Sequence, residues 1–261
     1  MINQSKGKFV LVLGDDDIFV NKSLFKIIYF LKRFPNAGLV SLGTKGLKEI
    51  DNSHFEKFVS DDIRYVHFEQ KKQFIEFVNV NLSFTSSIIF NFGLIEKRFL
   101  DRFKGSNLPN IAIILKLISQ NYKNYSILNT YILGQHGNNS GYNSFKIFNK
   151  ELFDLTSLFS NHQFEFSKIF SKCFVRYLHP YDFYHYMQKH NGIDSDLVWL
   201  DYKYLSGYLE YWIFLVPINY LPNIFRVWVF NFYRVYVKLL LVHSYLLLKL
   251  SSKIKIISIE E

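Results

Sequence analysis

The stretch Lys8-Phe-Val-Leu-Val-Leu-Gly14-Asp15-Asp16-Asp17 decides the interpretation of this chain of 261 residues. Its apolar part, Phe9 to Leu13, is uninterrupted, which is typical of a strand buried on both faces of a sheet. The three carboxylates that follow repel one another, and a nearby cation relieves that repulsion. Acids at the carboxyl end of such a strand suit a hard divalent ion that also holds phosphate groups. The alternative is an acidic turn that caps the next helix, because aspartate is common at strand exits and helix starts.

The segments after the motif alternate between helical and extended patterns. Apolar residues recur at helical spacing over 21–34, 71–80 and 110–120, and short strands are predicted over 37–42, 64–68, 82–90 and 125–133. Pro35 and Asn36 end the first of these helices. An alternation of this kind predicts an α/β sheet layer.

Four segments of the chain, in the order in which they occur, resemble segments of the family 2 glycosyltransferases of GT-A fold. Lys6-Gly-Lys-Phe9 leads into a strand that ends in an Asp-x-Asp (DXD) motif, and Ser83-Phe-Thr-Ser-Ser-Ile-Ile-Phe90 is similar to the acceptor-side strand of the abequosyltransferase-like branch. Asn110 to Gln120 resembles that branch's following helix, and Gly134 to Gly141 falls where the branch has a polar loop. The likeness covers roughly residues 3 to 160.

The resemblance implies a partial GT-A (Rossmann-like) sheet layer followed by a helical C-terminal region. We therefore expect a partial glycosyltransferase domain over 1–144 and a helical extension over 145–261. A complete family member has about 90 to 100 residues before this motif, a length that fits the usual βαβ units. Those residues hold the nucleotide-binding half, so we expect that half to be missing here and to be a possible partner.

The acidic motif is the expected metal and donor site. In an extended chain Asp15 and Asp17 would turn to one side and contact the ion and the donor diphosphate, whereas Asp16 would point elsewhere. Mn²⁺ and Mg²⁺ both fit such an oxygen site. The resemblance adds His136, in the late loop, as a third metal ligand, and a solvated histidine on a polar surface loop is the alternative.

Two further elements supply candidate residues around the substrates. The resemblance places Ser86 and Ser87 on the acceptor-side strand, where they could bind a sugar hydroxyl or simply pair within the sheet. An inverting transfer also needs a general base, which typically contributes a factor of about 10² to 10⁴. The resemblance implies a pair of acids at the stretch Leu108-Pro109-Asn110-Ile111, but this stretch contains none. Asp101 is the nearest acid upstream of it and is therefore the catalytic candidate. The alternative is that Asp101 is an ordinary surface acid within the charged segment 97–104.

Composition restricts the classes of partner. The formal net charge is +9, yet Lys and Arg are scattered among apolar residues, which disfavours nucleic acid and favours nucleotide phosphates or an anionic membrane surface. A single cysteine, Cys173, excludes an intrachain disulfide, and a cytoplasmic location is expected. The 28 Phe and 18 Tyr could form sugar-stacking surfaces, although a codon bias that also enriches Ile, Asn and Lys explains them more simply.

The most apolar part of the chain is Tyr208 to Ile259, where basic residues interrupt the aliphatic and aromatic ones. Within the long apolar stretch Ile224 to Leu250, the longest uncharged run, Leu239 to Leu248, is shorter than the about 20 residues that a spanning helix needs. Basic residues among Trp, Tyr and Leu are typical of a helix that lies in the membrane interface. The alternatives are a core-packing helix pair whose basic side chains reach solvent, and a tilted spanning helix.

The resemblance implies a hexosyltransferase-type enzyme, and the acidic motif adds the expectation that a metal ion assists it. From the resemblance, it would move a sugar from a nucleotide-sugar donor to a lipid-linked or polysaccharide acceptor in bacterial surface polysaccharide biosynthesis. It would lie peripherally on the inner face of the cell membrane. The alternatives are a truncated or split-gene product without independent activity and a membrane-associated, non-catalytic subunit.

Overall fold

The acidic motif follows the first strand of an α/β unit in the structure, a computed structural model of the chain. The structure describes residues 5–20, 22–46, 62–103, 105–120, 122–134, 147, 151–159, 166–177, 179–190, 205–250 and 256–259. The chain divides into two units, one made of Met1–Gly141 with Ser252–Glu261 and the other of Tyr142–Ser251.

Strands and helices alternate along the first unit, so the α/β class predicted from the sequence is confirmed. Its strands are β1 (Phe9–Leu11), β2 (Ile18–Phe19), β3 (Ala37–Gly46), β4 (Ile63–Phe68), β5 (Ile88–Asn91), β6 (Lys123–Gly134) and β7 (Ile256–Ile259). Its helices are α1 (Ser23–Arg33), α2 (Lys71–Val78), α3 (Lys97–Asp101) and α4 (Pro109–Ser119).

The seven strands of the described residues form one mixed sheet. The strand order is β1-β5-β3-β6-β4-β7, and β2 pairs with β6 beside this path. β5 runs antiparallel to both β1 and β3, and β6 runs parallel to β3. The carboxyl ends of β1, β3 and β6 therefore lie at the same edge of the sheet as the amino end of β5. This edge carries the acidic motif.

The core of the first unit is built around aromatic rings on α1, β4 and β6. Phe30 lies edge-on to Tyr65 and Tyr125, with ring centroids 5.1 and 5.5 Å apart, and Phe34 packs against the same two tyrosines. Rings in this geometry attract beyond their buried area. Helix α1 ends at Arg33 because a residue before a proline, here Phe34 before Pro35, disfavours helical backbone. The packing fixes α1, and thereby the chain after the motif, on one face of the sheet.

The prediction that β1 is buried on both faces is wrong. Its residues Phe9, Val10 and Leu11 are only half-buried, and Leu13 is exposed. The reason lies in the strand order, because β1 is the end strand of the described sheet and pairs with β5 on one side.

The segment 82–90, predicted as one strand, is extended only from Ile88 onward. Two short 3₁₀ turns, Asn79–Ser83 and Thr85–Ser87, precede β5. Hydroxyl groups explain the turns: Ser83 Oγ donates to the Val80 carbonyl at 2.7 Å, and Ser87 Oγ donates to the Phe84 carbonyl at 2.8 Å. Side-chain bonds of this kind compete with strand pairing.

The end of the chain returns to the sheet of the first unit. Our sequence-based boundaries assigned everything from 145 to 261 to a helical extension, but β7 pairs antiparallel with β4 from Ile63–Ile259 to Val66–Ile256. Ile257 and Ile259 also pack against the core of that unit. The unit boundary correspondingly falls at Gly141, with Ser252–Glu261 belonging to the first unit.

The second unit is helical in the part that the structure describes. Its helices are α5 (Leu152–Ser157), α6 (Phe166–Tyr177), α7 (His179–His190), a π-helical turn (Tyr211–Leu215), α8 (Val216–Tyr220) and α9 (Asn223–Leu250). One face of α9 is buried, with Phe230 and Tyr233 packed against Phe214 and Tyr184. Judged over the described residues, none of the helices combines the length and the hydropathy that crossing a lipid bilayer requires.

An ion pair between a half-buried arginine and a buried glutamate lies inside the helical unit. The Arg176 guanidinium donates to Glu210 Oε1, and the Tyr236 hydroxyl donates to the same oxygen at 3.1 Å. The Glu210 side chain is 8% exposed, so these two donors replace most of its hydration.

Candidate functional site

The acidic motif forms a tight turn in the structure. The Asp17 N–H donates to the Gly14 carbonyl at 3.3 Å, and Asp15 and Asp16 occupy the two central positions of the turn. Asp15 and Asp16 are exposed, whereas Asp17 is half-buried. The chain here is not extended, so the alternation of side chains that we expected for Asp15 and Asp17 does not apply.

The turn brings two carboxylates over Gly14. A Cβ atom built on Gly14 would lie 2.6 Å from Asp17 Oδ2 and 3.1 Å from Asp16 Oδ1. Asp16 and Asp17 therefore approach the same point, whereas we expected Asp16 to point elsewhere. The approach depends on glycine because any side chain at position 14 would occupy the space that the carboxylates use.

Ser86 connects this turn to the start of β5. Its hydroxyl donates to Asp17 Oδ2 and accepts from the Gly14 N–H at 2.9 Å. The residue is fully buried, so its hydroxyl faces protein on all sides. The sequence singled out Ser86 and Asp17 separately, and the structure joins them. The geometry favours a positioning role for Ser86 behind Asp17 over direct contact with a sugar.

Ser87 has a different environment, although it is equally buried. Its hydroxyl donates to the Asn81 carbonyl at 2.9 Å and to the Phe84 carbonyl at 2.8 Å. Both acceptors belong to the turns before β5, and these bonds therefore hold the local backbone. This arrangement corresponds to the purely structural alternative for Ser87.

The end of β6 also reaches the region of the motif. β2, which directly follows the acidic turn, pairs with β6 from Ile18–Leu133 to Phe19–Ile132. The last residue of β6, Gly134, opens the polar loop that the sequence singled out. His136, our third candidate metal ligand, lies outside the described residues.

The donor set of the turn fits a divalent cation. Carboxylate oxygens are the protein ligands that Mg²⁺ and Mn²⁺ prefer, and Mg²⁺ is commonly held by one or two carboxylates together with substrate phosphates. Two carboxylates converge over Gly14, one of them oriented by Ser86. Within the described part of the chain, no group of three or more His, Cys, Asp or Glu side chains is placed to hold a metal. Water molecules or phosphate oxygens of a bound ligand would complete the coordination of such an ion.

Asp101, the candidate base, is exposed at the end of α3. Its setting matches the alternative of a surface acid.

No sequence pattern indicated a cavity of about 160 Å³ that lies beside the middle of β3 and the amino half of β6. Its wall is lined by the polar residues Ser41, Asn81 and Ser126 and by apolar residues that include Phe77 and Leu128. The backbone carbonyl of Asn81 also accepts the hydrogen bond that the Ser87 hydroxyl donates. The wall thus includes the first of the two 3₁₀ turns that lead to Ser86, a relation that only the three-dimensional fold reveals.

No protein-family model matches this chain, and no curated protein matches it either. The functional argument therefore depends on the geometry of the acidic turn and of the sheet that carries it.

Proposed function

We propose that this chain is a glycosyltransferase of the GT-A type, which moves a sugar from a nucleotide-sugar donor to a lipid-linked or polysaccharide acceptor. The observation that carries the proposal is the hydrogen-bonded link from Gly14 and Asp17 to Ser86. It couples an acidic turn suited to a cation and a diphosphate with the element that the resemblance assigns to the acceptor side. A transferase needs these two sites adjacent because the reacting groups must be held in contact.

The residues of the acidic turn have distinct tasks in this proposal. Asp16 and Asp17 would hold the divalent cation, with Asp15 exposed beside them. When bound, Mn²⁺ or Mg²⁺ neutralises charge that develops on the departing nucleoside diphosphate. Ser86 restrains the Asp17 carboxylate before any ligand arrives, and such preorganisation reduces the entropy lost on binding.

The acceptor and the location follow from the resemblance and from charge. The branch that the sequence resembles builds bacterial surface polysaccharides, so the proposed reaction takes place at the inner face of the cell membrane. The net charge of +9 suits both nucleotide phosphates and an anionic lipid surface. A membrane-associated, non-catalytic subunit would share this location but would not bind a nucleoside diphosphate together with a metal ion.

Metal binding by the purified chain tests the proposal. Electron paramagnetic resonance of free Mn²⁺ measures binding to the chain, alone and with UDP, GDP or CDP added. We expect Mn²⁺ binding that tightens with at least one of these nucleotides and that Asp17→Asn abolishes. Glu96→Gln is the matched control, because Glu96 is an exposed carboxylate before α3 whose side chain caps nothing. Mn²⁺ binding that is unaffected by Asp17→Asn contradicts the proposal.

A further inference from the structure

Helix α9 exposes a continuous apolar stripe along its outer face. Seven exposed residues fall within about 100° of one another around the helix axis, at the 100° per residue of an α-helix. They are Ile224, Phe225, Trp228, Phe232, Val235, Leu239 and Val242. The stripe runs from Ile224 to Val242, which is 19 residues, and is about 27 Å long at a rise of 1.5 Å per residue. Large apolar surface of this extent marks an interaction site, because isolated soluble proteins rarely expose so much of it in one patch.

Basic residues flank the stripe, and α9 contains no acid. Arg234 and Lys238 are exposed and project from one side of the stripe at the same helical spacing. Among the described residues, the acid nearest to α9 along the chain is Glu210, which is buried and already holds Arg176 and Tyr236. The surface is therefore both apolar and cationic.

Charge decides which partner fits this surface. A second copy of the chain that packed through the same stripe would bring its own Arg234 and Lys238 to an acid-free face, where like charges repel. An anionic lipid surface offers the opposite charge at the headgroups and an apolar interior for the aromatic side chains. A spanning arrangement is disfavoured because the opposite face of α9 packs on Phe214 and Tyr184 within the helical unit.

We propose that α9 lies in the plane of an anionic lipid surface, with its stripe of seven apolar residues inserted at the headgroup boundary. Arg234 and Lys238 contact the lipid phosphates. This docking surface does not depend on the transfer chemistry, and it stands whether or not the acidic turn binds a metal ion.

Vesicle flotation with the full chain tests the proposal. Vesicles of phosphatidylcholine mixed with phosphatidylglycerol are compared with vesicles of phosphatidylcholine alone, at low and at high salt. We expect binding to the anionic vesicles that salt weakens. Arg234→Gln combined with Lys238→Gln should lower that binding about fivefold for each charge removed, and leave the phosphatidylcholine vesicles unaffected.

The apolar contribution has a matched control. Trp228 and Phe25 are each 74% exposed, but Phe25 belongs to α1 of the first unit and is not part of the stripe on α9. Trp228→Gln should lower anionic-vesicle binding roughly tenfold, whereas Phe25→Gln should leave it unchanged. Because both side chains are exposed, neither variant removes core packing, and circular dichroism checks that each one is folded.

Three results would overturn the proposal. The first is a wild-type chain that stays in solution with both kinds of vesicle. The second is a Trp228→Gln chain that binds anionic vesicles as well as wild type. The third is a soluble dimer, seen by sedimentation velocity, that Trp228→Gln dissociates, because the stripe would then be an interface between copies of the chain.

Discussion

The Ser86 hydroxyl donates a hydrogen bond to the Asp17 carboxylate across 69 positions of sequence. The same hydroxyl accepts the Gly14 N–H, so a single side chain holds both ends of the acidic turn. Buried groups that orient a metal-binding carboxylate tune its affinity without touching the metal. Ser86 is therefore the residue through which the sheet sets the position of Asp17.

Replacing Ser86 should weaken metal binding more than it weakens the fold. Ser86→Ala removes the bond to Asp17 and leaves the Gly14 N–H without its acceptor. We expect Mn²⁺ affinity to fall about tenfold or more, with a stability loss of about 1 to 2 kcal/mol. Electron paramagnetic resonance titration measures the first effect, and urea denaturation measures the second.

Ser87→Ala is the control for this effect, since Ser86 and Ser87 are neighbouring serines that are both 0% exposed. Ser87 bonds only to the backbone of the preceding turns among the contacts that the structure shows. The Ser87→Ala substitution should lower stability by about as much as Ser86→Ala does, while Mn²⁺ affinity stays at the wild-type value. Equal Mn²⁺ affinities in the two variants would remove the positioning role of Ser86.

A side chain at position 14 should displace the two carboxylates that we propose as metal ligands. In Gly14→Ala the new Cβ would lie 2.6 Å from Asp17 Oδ2, which is closer than van der Waals contact allows. The carboxylate is the end of a mobile side chain, so it can turn away at little cost to the fold. We expect Mn²⁺ binding to be lost while the thermal midpoint changes by only a few degrees.

Gly207→Ala serves as the comparison, because a Cβ at Gly207 meets no atom within 4 Å. This substitution should change neither Mn²⁺ affinity nor the thermal midpoint measurably. If Gly14→Ala also keeps wild-type Mn²⁺ affinity, the two carboxylates over Gly14 do not form the metal site.

Periodicity was enough to predict most elements of the sheet unit. The helix predicted over 21–34 is α1 (Ser23–Arg33), and the strand predicted over 125–133 is β6 (Lys123–Gly134). Both predictions succeed because the apolar residues of each segment repeat with the period of the helix or strand that the segment forms. The acidic pattern also made Asp17 a site candidate, whereas Ser86 became one through the resemblance.

The relations between distant segments could not be predicted in this way. The link between Ser86 and Asp17 exists because β5 runs antiparallel beside β1, and no local pattern encodes that pairing. The half-exposure of β1 likewise follows from its end position in the sheet. β7 was missed because a four-residue strand after a long apolar helix has too few residues to show a period.

The register of β7 predicts unequal effects for two adjacent isoleucines. Successive strand residues face opposite sides, and Ile257 packs against the core whereas Ile256 is 44% exposed. Ile257→Ala should cost about 2 kcal/mol, and Ile256→Ala should stay within about 0.5 kcal/mol. Urea denaturation followed by circular dichroism, with hydrogen exchange of β4 amides, measures both. Equal costs would mean that β7 does not pair with β4 in the register of Ile257 and Tyr65.

Glu210 should make the stability of the helical unit depend on pH. Burial alone would raise the pKa of Glu210, but its backbone hydrogen bond, the Arg176 guanidinium and the Tyr236 hydroxyl outweigh burial and hold that pKa below its ordinary value of 4.5. Burial and the Glu210 charge raise the pKa of Tyr236 to about 12, so Tyr236 remains a donor at neutral pH. Because the Glu210 pKa is lower in the folded state, its stabilisation is complete above pH 4.5 and is lost as pH falls through the folded pKa.

Arg176→Met tests this coupling. At neutral pH it leaves the Glu210 carboxylate buried without its cation, and the free energy of unfolding should fall by about 3 kcal/mol. As pH falls through the folded-state pKa of Glu210, which lies below 4.5, the carboxylate becomes protonated, and the difference in stability between variant and wild type should shrink. Tryptophan fluorescence during urea denaturation reports this unit, since Trp199, Trp212 and Trp228 all lie within Tyr142–Ser251. Lys172→Met, at an exposed position on the same helix, should cost little at any pH. A cost of Arg176→Met that does not change with pH would show that Glu210 is not the group that titrates.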